Sequence, residues 1–269
     1  MSKDGRQTTA AIIAACNEAQ TIGNVLRQLL RAGVKKVVIV DNGSEDSTSE
    51  KALALHGMDV RIIKFHRALG HDVPRAIGAI AALRAWSKQD LAALLFIDGD
   101  WGGSFGPMLQ AFIDEAQAVP EAIVGIDAGS LQHGPLAEAI RSAWLPVLDV
   151  ASTCDKPIPC LLPQYVPRTV FQSVSPIWLG SPGAWFAATV QAGWVWRGFR
   201  GWNIGLVGNR SRSVSHNRRL AELIRLDARI AATHLGLQGD RISVLSTLPG
   251  REWSALIDYA SSFCTGQKL

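Results

Sequence analysis

The sequence predicts an α/β fold with a mostly parallel central sheet and helices on both faces. In the first half of the chain, short apolar stretches alternate with segments whose apolar residues repeat at helical spacing. That order is typical of successive strand–helix–strand units, whose strands lie parallel in one sheet. With 269 residues, 48% of them hydrophobic, the chain is long enough to bury a large core. We expect a single domain.

Each element of the first half follows from its local pattern. Apolar runs predict the strands, helical periodicity predicts the helices, Pro74 stands near a helix start and Gly33 just after a helix end. The predicted strands are Thr9–Ala15, Lys36–Val40, Val60–Phe65, Leu91–Ile97 and Ala122–Ile126. The predicted helices are Ala19–Arg31, Glu45–His56, Pro74–Trp86 and Phe105–Ala118, with a later one at about Arg218–Leu235.

The second half of the chain is less regular. Residues Pro146 to Gly183 keep no clean period, so we expect loops around one or two helices there. No signal-peptide pattern opens the sequence, and no apolar run approaches the about 20 residues that span a bilayer. We therefore expect a soluble, cytoplasmic protein without a membrane span. Scattered cysteines favour free thiols over disulfides; they are Cys16, Cys154, Cys160 and Cys264.

The positive charge is concentrated in one segment. The net charge of +4 is too small to indicate nucleic acid as a partner. Between Gln191 and Ile230, however, eight arginines face only Glu222 and Asp227. This distribution indicates a local anionic partner, with a solvated helix face as the alternative.

Polar residues follow the first, second and fourth predicted strands. They are Asn17-Glu18, the stretch from Asp41 to Ser44, and Asp98-Gly99-Asp100. Parallel sheets bind ligands beyond the carboxyl ends of their strands, so we expect these three groups to converge. Two carboxylates so close together indicate a bound Mg²⁺ or Mn²⁺, and a solvated turn or helix cap is the alternative.

Three motifs in this order resemble the family 2 glycosyltransferases. Ile12 to Ile22 is similar to the family's opening Pro-x-x-Asn-Glu-x-x-x-Ile, and Val38 to Thr48 to its Val-Val-Asp-Asp-Gly-Ser-x-Asp-x-Thr segment, with Asn42 at the second Asp. Leu94 to Asp100 resembles its metal-binding Asp-x-Asp strand end. The resemblance implies a GT-A fold, a nucleotide-diphosphate sugar (UDP- or GDP-sugar) as donor, and Mg²⁺ or Mn²⁺ on the donor diphosphate.

The resemblance also implies roles for individual residues. It makes Asp98 and Asp100 the catalytic pair at the sugar and the metal, with Asp100 as a metal ligand. The donor site then comprises Ala15, Asn17, Glu18, Asp41, Ser44, Arg75, Asp98 and Gly99. A turn or cap remains the alternative for Asn17, Asp41 and Ser44. Arg75, at a helix N-terminus, is a candidate ligand of donor phosphate, whereas His71 and Asp72 could simply cap that helix.

The segment Asn203 to Leu235 is similar to the C-terminal region of glucosyl-3-phosphoglycerate synthases. That resemblance implies His216 as a further metal ligand, with an exposed histidine at a helix start as the alternative. It also implies an acceptor or phosphate site at Arg210, Arg212 and Asn217. Residues 1–130 would then bind the nucleotide sugar, and residues 131–269 would complete the metal site and bind a small polar acceptor, either with or without a phosphate group.

Several alternatives stay open at this point. A base for an inverting mechanism is unidentified, with Asp127 a weak candidate. Tryptophans in loop-like settings either stack on a sugar or pack in the core: Trp178, Trp185 and Trp202. A non-catalytic nucleotide-sugar binder, a polyprenyl-phosphate sugar transferase and a nucleotidyltransferase are the competing functions, and a homodimer is allowed. The glutamine found just beyond the Asp-x-Asp motif in many polyprenyl-phosphate enzymes is missing after Asp100, which disfavours the lipid acceptor.

Overall fold

The fold is built on one seven-stranded sheet. The computed structural model describes residues 8–132, 134–151, 155–203, 206–207, 213–236 and 251–262. Within these residues the strand order is β3-β2-β1-β4-β6-β5-β7, and only β6 runs antiparallel to its neighbours. The strands are β1 (Thr9–Ala15), β2 (Lys36–Asn42), β3 (Asp59–Phe65), β4 (Ala93–Asp98), β5 (Ala122–Ile126), β6 (Gln164–Pro167) and β7 (Val195–Phe199). The predicted mostly parallel α/β sheet is confirmed.

Helices cover both faces of the sheet. Those of the first half are α1 (Ile22–Arg31), α2 (Thr48–Leu53), α3 (Val73–Ala85) and α4 (Gly106–Gln117). Those of the second half are α5 (Pro135–Val150), α6 (Pro182–Gln191), α7 (Val214–His234) and α8 (Trp253–Ser262). No helix among the described residues is long and apolar enough to cross a membrane.

The first half matches its prediction closely, except at two helix starts. Helix α1 begins at Ile22 and not at Ala19, because the Ala19 amide donates to Asp46 and the preceding residues form a turn. Helix α2 is six residues long, since Glu45 and Asp46 belong to the turn that joins it to β2. In both places side chains of the turn compete with the helix for backbone partners.

The second half contains more regular structure than its sequence predicts. Helix α5 continues through Pro146, which we expected to open a loop region, and α7 begins four residues before Arg218. Strands β6 and β7 and helix α8 were not predicted. Strand β7 is a short edge strand in which only Trp196 and Phe199 point into the core, so its pattern is too brief to detect.

Two apolar layers hold the helices against the sheet. One layer packs α1, α2 and α4 on one face, and the other packs α3, α5, α6, α7 and α8 on the opposite face. Tryptophans contribute heavily to the core: Trp185 and Trp202 are buried and Trp178 is half-buried against it, which favours the packing interpretation of all three. Trp101 and Trp202 pack with ring centroids 5.4 Å apart. Cys16 and Cys160 are free thiols, and Cys154 and Cys264 lie outside the described residues.

Candidate active site

The carboxyl ends of β1, β2 and β4 meet at one edge of the sheet. In the register of the parallel pairs, Ala15 lies opposite Asp41 and Ala14 opposite Asp98. Gly99 allows the close approach of β4 to β1, because a Cβ there would lie 3.1 Å from both the Ala14 carbonyl oxygen and the Ala15 Cβ. The expected convergence of the polar groups is confirmed.

Asp98 and Asp100 stand where two cavities join. One cavity has a volume of about 410 Å³ and extends toward β1, and the other, of about 760 Å³, extends between α5 and α7. We call them the smaller and the larger cavity. Asp100 is 5% exposed, and Asp98 has an ion pair of 3.6 Å with the Arg75 guanidinium. Both cavities share five lining residues: His71, Asp98, Asp100, Leu220 and Leu223.

The smaller cavity combines residues from both halves of the chain. The first half contributes Ala15, Glu18 and Gly99, as predicted for the donor site, together with Asn42. Glu18 is buried, and its carboxylate accepts a hydrogen bond of 2.9 Å from the Thr21 hydroxyl. The second half contributes three basic side chains, which are those of His216, Arg219 and Arg251.

Asn17, Asp41 and Ser44 form a turn behind this cavity. Asn17 has a φ of 59°, its amide donates to the Ser44 hydroxyl, and its side-chain oxygen accepts from the Glu45 amide. Asp41 is fully buried, accepting from the Ser44 amide at 2.9 Å and from the Ser49 hydroxyl. None of the three is among the described residues that line either cavity. These contacts are those of the alternative turn role, and nucleoside binding by these three residues stays a prediction.

Asn42 fixes the loop before α3. Its side-chain amide donates to the Gly70 carbonyl at 3.0 Å, and its oxygen accepts from the Leu69 amide at 2.7 Å. A carboxylate accepts but does not donate, so an aspartate here would lose the first of these bonds. This is a physical reason for Asn42 at the position where the family 2 motif has its second aspartate.

The loop before α3 presents Asp72 and Arg75 to the site. Asp72 occupies the N-cap position but makes no capping hydrogen bond; its carboxylate instead binds Arg75 at 3.1 Å and Arg251 at 2.8 Å. The expected capping role of Asp72 is therefore wrong. Arg75 is 8% exposed and lines the larger cavity next to Asp98. Its role as a ligand of donor phosphate stays a prediction.

The chemistry of the donor set fits a divalent cation. Asp98 and Asp100 supply carboxylate oxygens, which Mg²⁺ and Mn²⁺ prefer, and the imidazole of His216 lines the same smaller cavity. Within the described residues, no three His, Cys, Asp or Glu side chains are close enough to hold a metal by themselves. A Mg²⁺-type site needs only one or two carboxylates when water and substrate phosphate complete the shell.

His216 and Asn217 lie in the first turn of α7. The Ser213 hydroxyl caps this helix by accepting from the His216 amide at 3.2 Å. His216 thus lines the smaller cavity from a helix start, and Asn217 lines the larger one. Arg210 and Arg212, the other predicted phosphate ligands, lie outside the described residues.

Asp127 does not fit a catalytic base. It is 5% exposed, and its two oxygens accept from the Gly129 and Lys156 amides at 2.8 and 3.0 Å. It is not among the described residues lining either cavity. Asp127 is instead a turn residue after β5, and the prediction that it could be a base is not supported.

Residues 10–139 match the family model described as Glycosyl transferase family 2. No curated protein sequence matches the chain significantly. Together with the sheet topology and the site at the end of β4, the match defines the class: the chain is a glycosyltransferase with the GT-A fold, and its residues 10–139 are similar to the family 2 model.

The solved structures that it resembles include those of glucosyl-3-phosphoglycerate synthase from Mycobacterium tuberculosis. The complex with Mg²⁺ and UDP is 17% identical, with a TM-score of 0.59 over 88% of this chain and 83% of that one. The complex with Mn²⁺, UDP-glucose and glycerol 3-phosphate is 17% identical, with a TM-score of 0.57 over the same shares. The complex with phosphoglyceric acid is 16% identical, with a TM-score of 0.58 over 88% and 83%.

Proposed function

We propose that this glycosyltransferase moves a sugar from a nucleotide-diphosphate donor to a hydroxyl of a small acceptor with the help of Mg²⁺ or Mn²⁺. The observation that supports it is the position of Asp98 and Asp100, which form the common wall of two adjoining cavities. One cavity suits the donor and the other the acceptor, so the bond would form where the carboxylates stand. The structural relatives were solved with UDP, UDP-glucose, Mn²⁺ or Mg²⁺, and phosphoglyceric acid.

The residues of the smaller cavity, together with Arg75 of the larger cavity beside Asp98, have complementary tasks in this proposal. Asp98 and Asp100, with His216, would hold the cation, which supplies Lewis acidity and a template for the diphosphate. Glu18 can accept hydrogen bonds from a ribose or base, and Ala15 and Gly99 leave room for the nucleotide. Arg75 and Arg219 would stabilise the negative charge that develops on the leaving diphosphate.

The larger cavity would receive the acceptor. Asn217 and Arg218, at the start of α7, and Arg225 further along it line its wall and can bind an anionic group such as a phosphate. We propose Arg210 and Arg212 for the same purpose from the sequence alone. The cytoplasmic location, the homodimer and the absence of nucleic acid as a partner stay predictions.

One observation favours a second candidate function, in which the acceptor is a lipid-like phosphate. Between α5 and α7 the larger cavity is lined mostly by apolar side chains, including Leu136, Ile140, Leu220 and Ile224. Such a wall suits an acceptor whose hydroxyl or phosphate belongs to an apolar body. A polyprenyl-phosphate or similar acceptor is therefore the alternative to a small phosphorylated acid.

Calorimetry and turnover together test the proposal. We expect UDP or GDP to bind more tightly with Mn²⁺ than with EDTA, and we expect the matching nucleotide sugar to be consumed only when an acceptor is present. A panel of phosphoglycerate, glycerol 3-phosphate and a short polyprenyl phosphate separates the two acceptor classes. Metal-independent nucleotide binding would contradict the metal site. Binding of nucleotide sugars without transfer to any acceptor would favour a non-catalytic binder.

A further inference from the structure

Five buried or partly buried charges form a continuous chain that ends at Asp98. Starting in α7, Asp227 contacts Arg251 at 2.6 Å, and Arg251 contacts Asp72 at 2.8 Å. Asp72 contacts Arg75 at 3.1 Å, and Arg75 contacts Asp98 at 3.6 Å. The signs alternate along the whole chain, so every arginine stands between two carboxylates. The chain connects the C-terminal segment with the end of β4.

The backbone holds Arg251 at this place. Arg251 forms an isolated antiparallel bridge with Gly70, and the Glu252 amide donates to the Leu69 carbonyl at 2.9 Å. Leu69 and Gly70 are the residues that Asn42 fixes from the end of β2. The position of Arg251 relative to Asp72 is therefore set by the same loop that leads into α3.

The guanidinium of Arg251 is almost completely removed from solvent. Its side chain is 2% exposed, and its Nη1 atom has no hydrogen-bond partner among the described residues. Burial opposes the charge, but Asp72 and Asp227 outweigh it and raise the pKa of Arg251 above its ordinary value. A buried cation that binds two carboxylates by its Nη2 is a fixed element and not a flexible surface group.

Asp72 and Asp227 differ in how much positive charge they receive. Burial favours the neutral form of both, yet the charges of Arg251 and then Arg75 hold the pKa of Asp72 below its ordinary value. Asp227 has only Arg251, so burial dominates and raises the pKa of Asp227. Asp72 is thus shared by two guanidiniums, so a weaker contact with one of them leaves more of its negative charge for the other.

We infer that Arg251 is a positioning residue of the donor site. It acts through Asp72: the contact between Arg251 and Asp72 sets how strongly Asp72 holds Arg75 away from the donor diphosphate. Arg251 satisfies part of the charge of Asp72 and leaves Arg75 free to face Asp98 and the phosphate. The inference rests on the proposed function, in which Arg75 binds the donor. It concerns a residue about 150 positions beyond the Asp98 motif that no family motif includes.

Substitutions at the two members farthest from Asp98, Arg251 and Asp227, are called the outer variants and are expected to act in opposite directions. Arg251→Lys keeps a charge but loses the planar fork, so Asp72 draws Arg75 toward itself; the Kd of UDP with Mn²⁺ and the donor KM should rise about 10-fold. Asp227→Asn removes one of the two carboxylates that bind Arg251, so Arg251 binds Asp72 more strongly and Asp72 binds Arg75 less strongly. The Kd of UDP with Mn²⁺ and the donor KM should therefore fall about 3-fold.

Glu252→Gln is the matched control. Glu252 is the next residue and has an exposed ion pair of 3.5 Å with Arg67, outside the chain of charges. Its loss should leave the UDP affinity unchanged. A purely structural role of Arg251 predicts that both outer variants weaken UDP binding in parallel with lost thermal stability. That result, or unchanged UDP affinity in both folded variants, overturns the inference.

Two further outcomes are decisive. If Arg251→Lys fails to fold, Asp227→Asn decides alone: tighter UDP binding supports the inference, and unchanged or weaker binding refutes it. Arg75→Gln separates this inference from the proposed function. If Arg75→Gln does not weaken UDP binding, the donor role of Arg75 fails and the inference fails with it. If Arg75→Gln does weaken UDP binding, but Arg251→Lys and Asp227→Asn change UDP binding in the same direction, only the inference fails and the proposed function stands.

Discussion

The two cavities on either side of Asp98 and Asp100 are built in different ways. The smaller one has one wall at strand ends, where the sheet register brings Gly99 against Ala14 and Ala15. The larger one lies between two helices, α5 and α7, and its shape depends on how they pack. The difference teaches that the strand-end wall of the donor cavity can be predicted from local sequence, whereas the second-half side chains that complete this cavity, and the whole acceptor cavity, are placed by tertiary packing.

The shared carboxylate provides the strongest test of this comparison. Asp100→Asn removes a charge common to both cavities, so transfer should fall about 1000-fold, or about 4 kcal/mol of transition-state stabilisation. UDP should also lose the Mn²⁺ dependence of its binding. Asp258→Asn, an exposed position on α8, is the control and should retain full activity. Steady-state kinetics measure the loss of transfer, and calorimetry measures the Mn²⁺ dependence of UDP binding. If Asp100→Asn still binds UDP in a Mn²⁺-dependent way, Asp100 is not a metal ligand.

A glycine contact tests whether helix packing alone determines the acceptor side. A Cβ on Gly183, in α6, would lie 2.0 Å from the Asp227 carbonyl oxygen of α7. Gly183→Ala should therefore push the two helices apart and lower the free energy of unfolding by about 1–3 kcal/mol. We expect the acceptor KM to rise while UDP binding changes less, as measured by denaturation, kinetics and calorimetry.

Gly23→Ala in α1 is the matched control for that substitution. Its Cβ would meet nothing closer than 3.6 Å, so a stability gain of about 0.5–1 kcal/mol is expected from the reduced backbone entropy. Should Gly183→Ala prove as stable as Gly23→Ala, the described packing of α6 against α7 would be wrong.

Two consecutive arginines divide between the cavities. Arg218 lines the larger cavity and Arg219 the smaller one. Arg218→Ala should raise the acceptor KM about 5-fold and Arg219→Ala the donor KM about 5-fold, near 1 kcal/mol each, because both side chains are exposed. Each variant is the control for the other. Identical effects of the two substitutions on both constants would show that the cavities do not serve separate substrates.

The alkylation rates of Cys16 and Cys160, which line the smaller and the larger cavity, provide the test with the smallest expected effect. Burial and the carboxylates of Asp41 and Glu18 raise the pKa of Cys16, and stronger burial raises the pKa of Cys160 well above its ordinary value. At pH 8, Cys16 should therefore be alkylated more slowly than a free thiol, and Cys160 hardly at all. UDP with Mn²⁺ should slow Cys16 alkylation by roughly 3-fold or more, by shielding the smaller cavity. Peptide mass spectrometry measures each site; Cys16 reactivity that ignores UDP would place the nucleotide elsewhere.

Predictions from the sequence succeeded where a local pattern was sufficient. The alternation of apolar runs gave β1 and β5 to the residue, and the three polar groups at strand ends converge as expected. Prediction failed for α5, which contains a proline, for β6, which has only four residues, and for β7, in which only Trp196 and Phe199 are buried. Arg251 was missed because nothing in its neighbourhood along the chain distinguishes it.

By itself, the sequence determined the α/β class, the parallel strands of the first half and the carboxylate pair at Asp98 and Asp100. Side-chain period and strand ends are local properties, so the chain order is enough to reveal them. Only the tertiary structure brought His216, Arg219 and Arg251 to the wall of the smaller cavity and linked Arg251 to Asp98 through three ion contacts. The first of these contacts joins Arg251 to Asp72, which are 179 positions apart, and burial in a common low-dielectric interior makes the charges depend on one another.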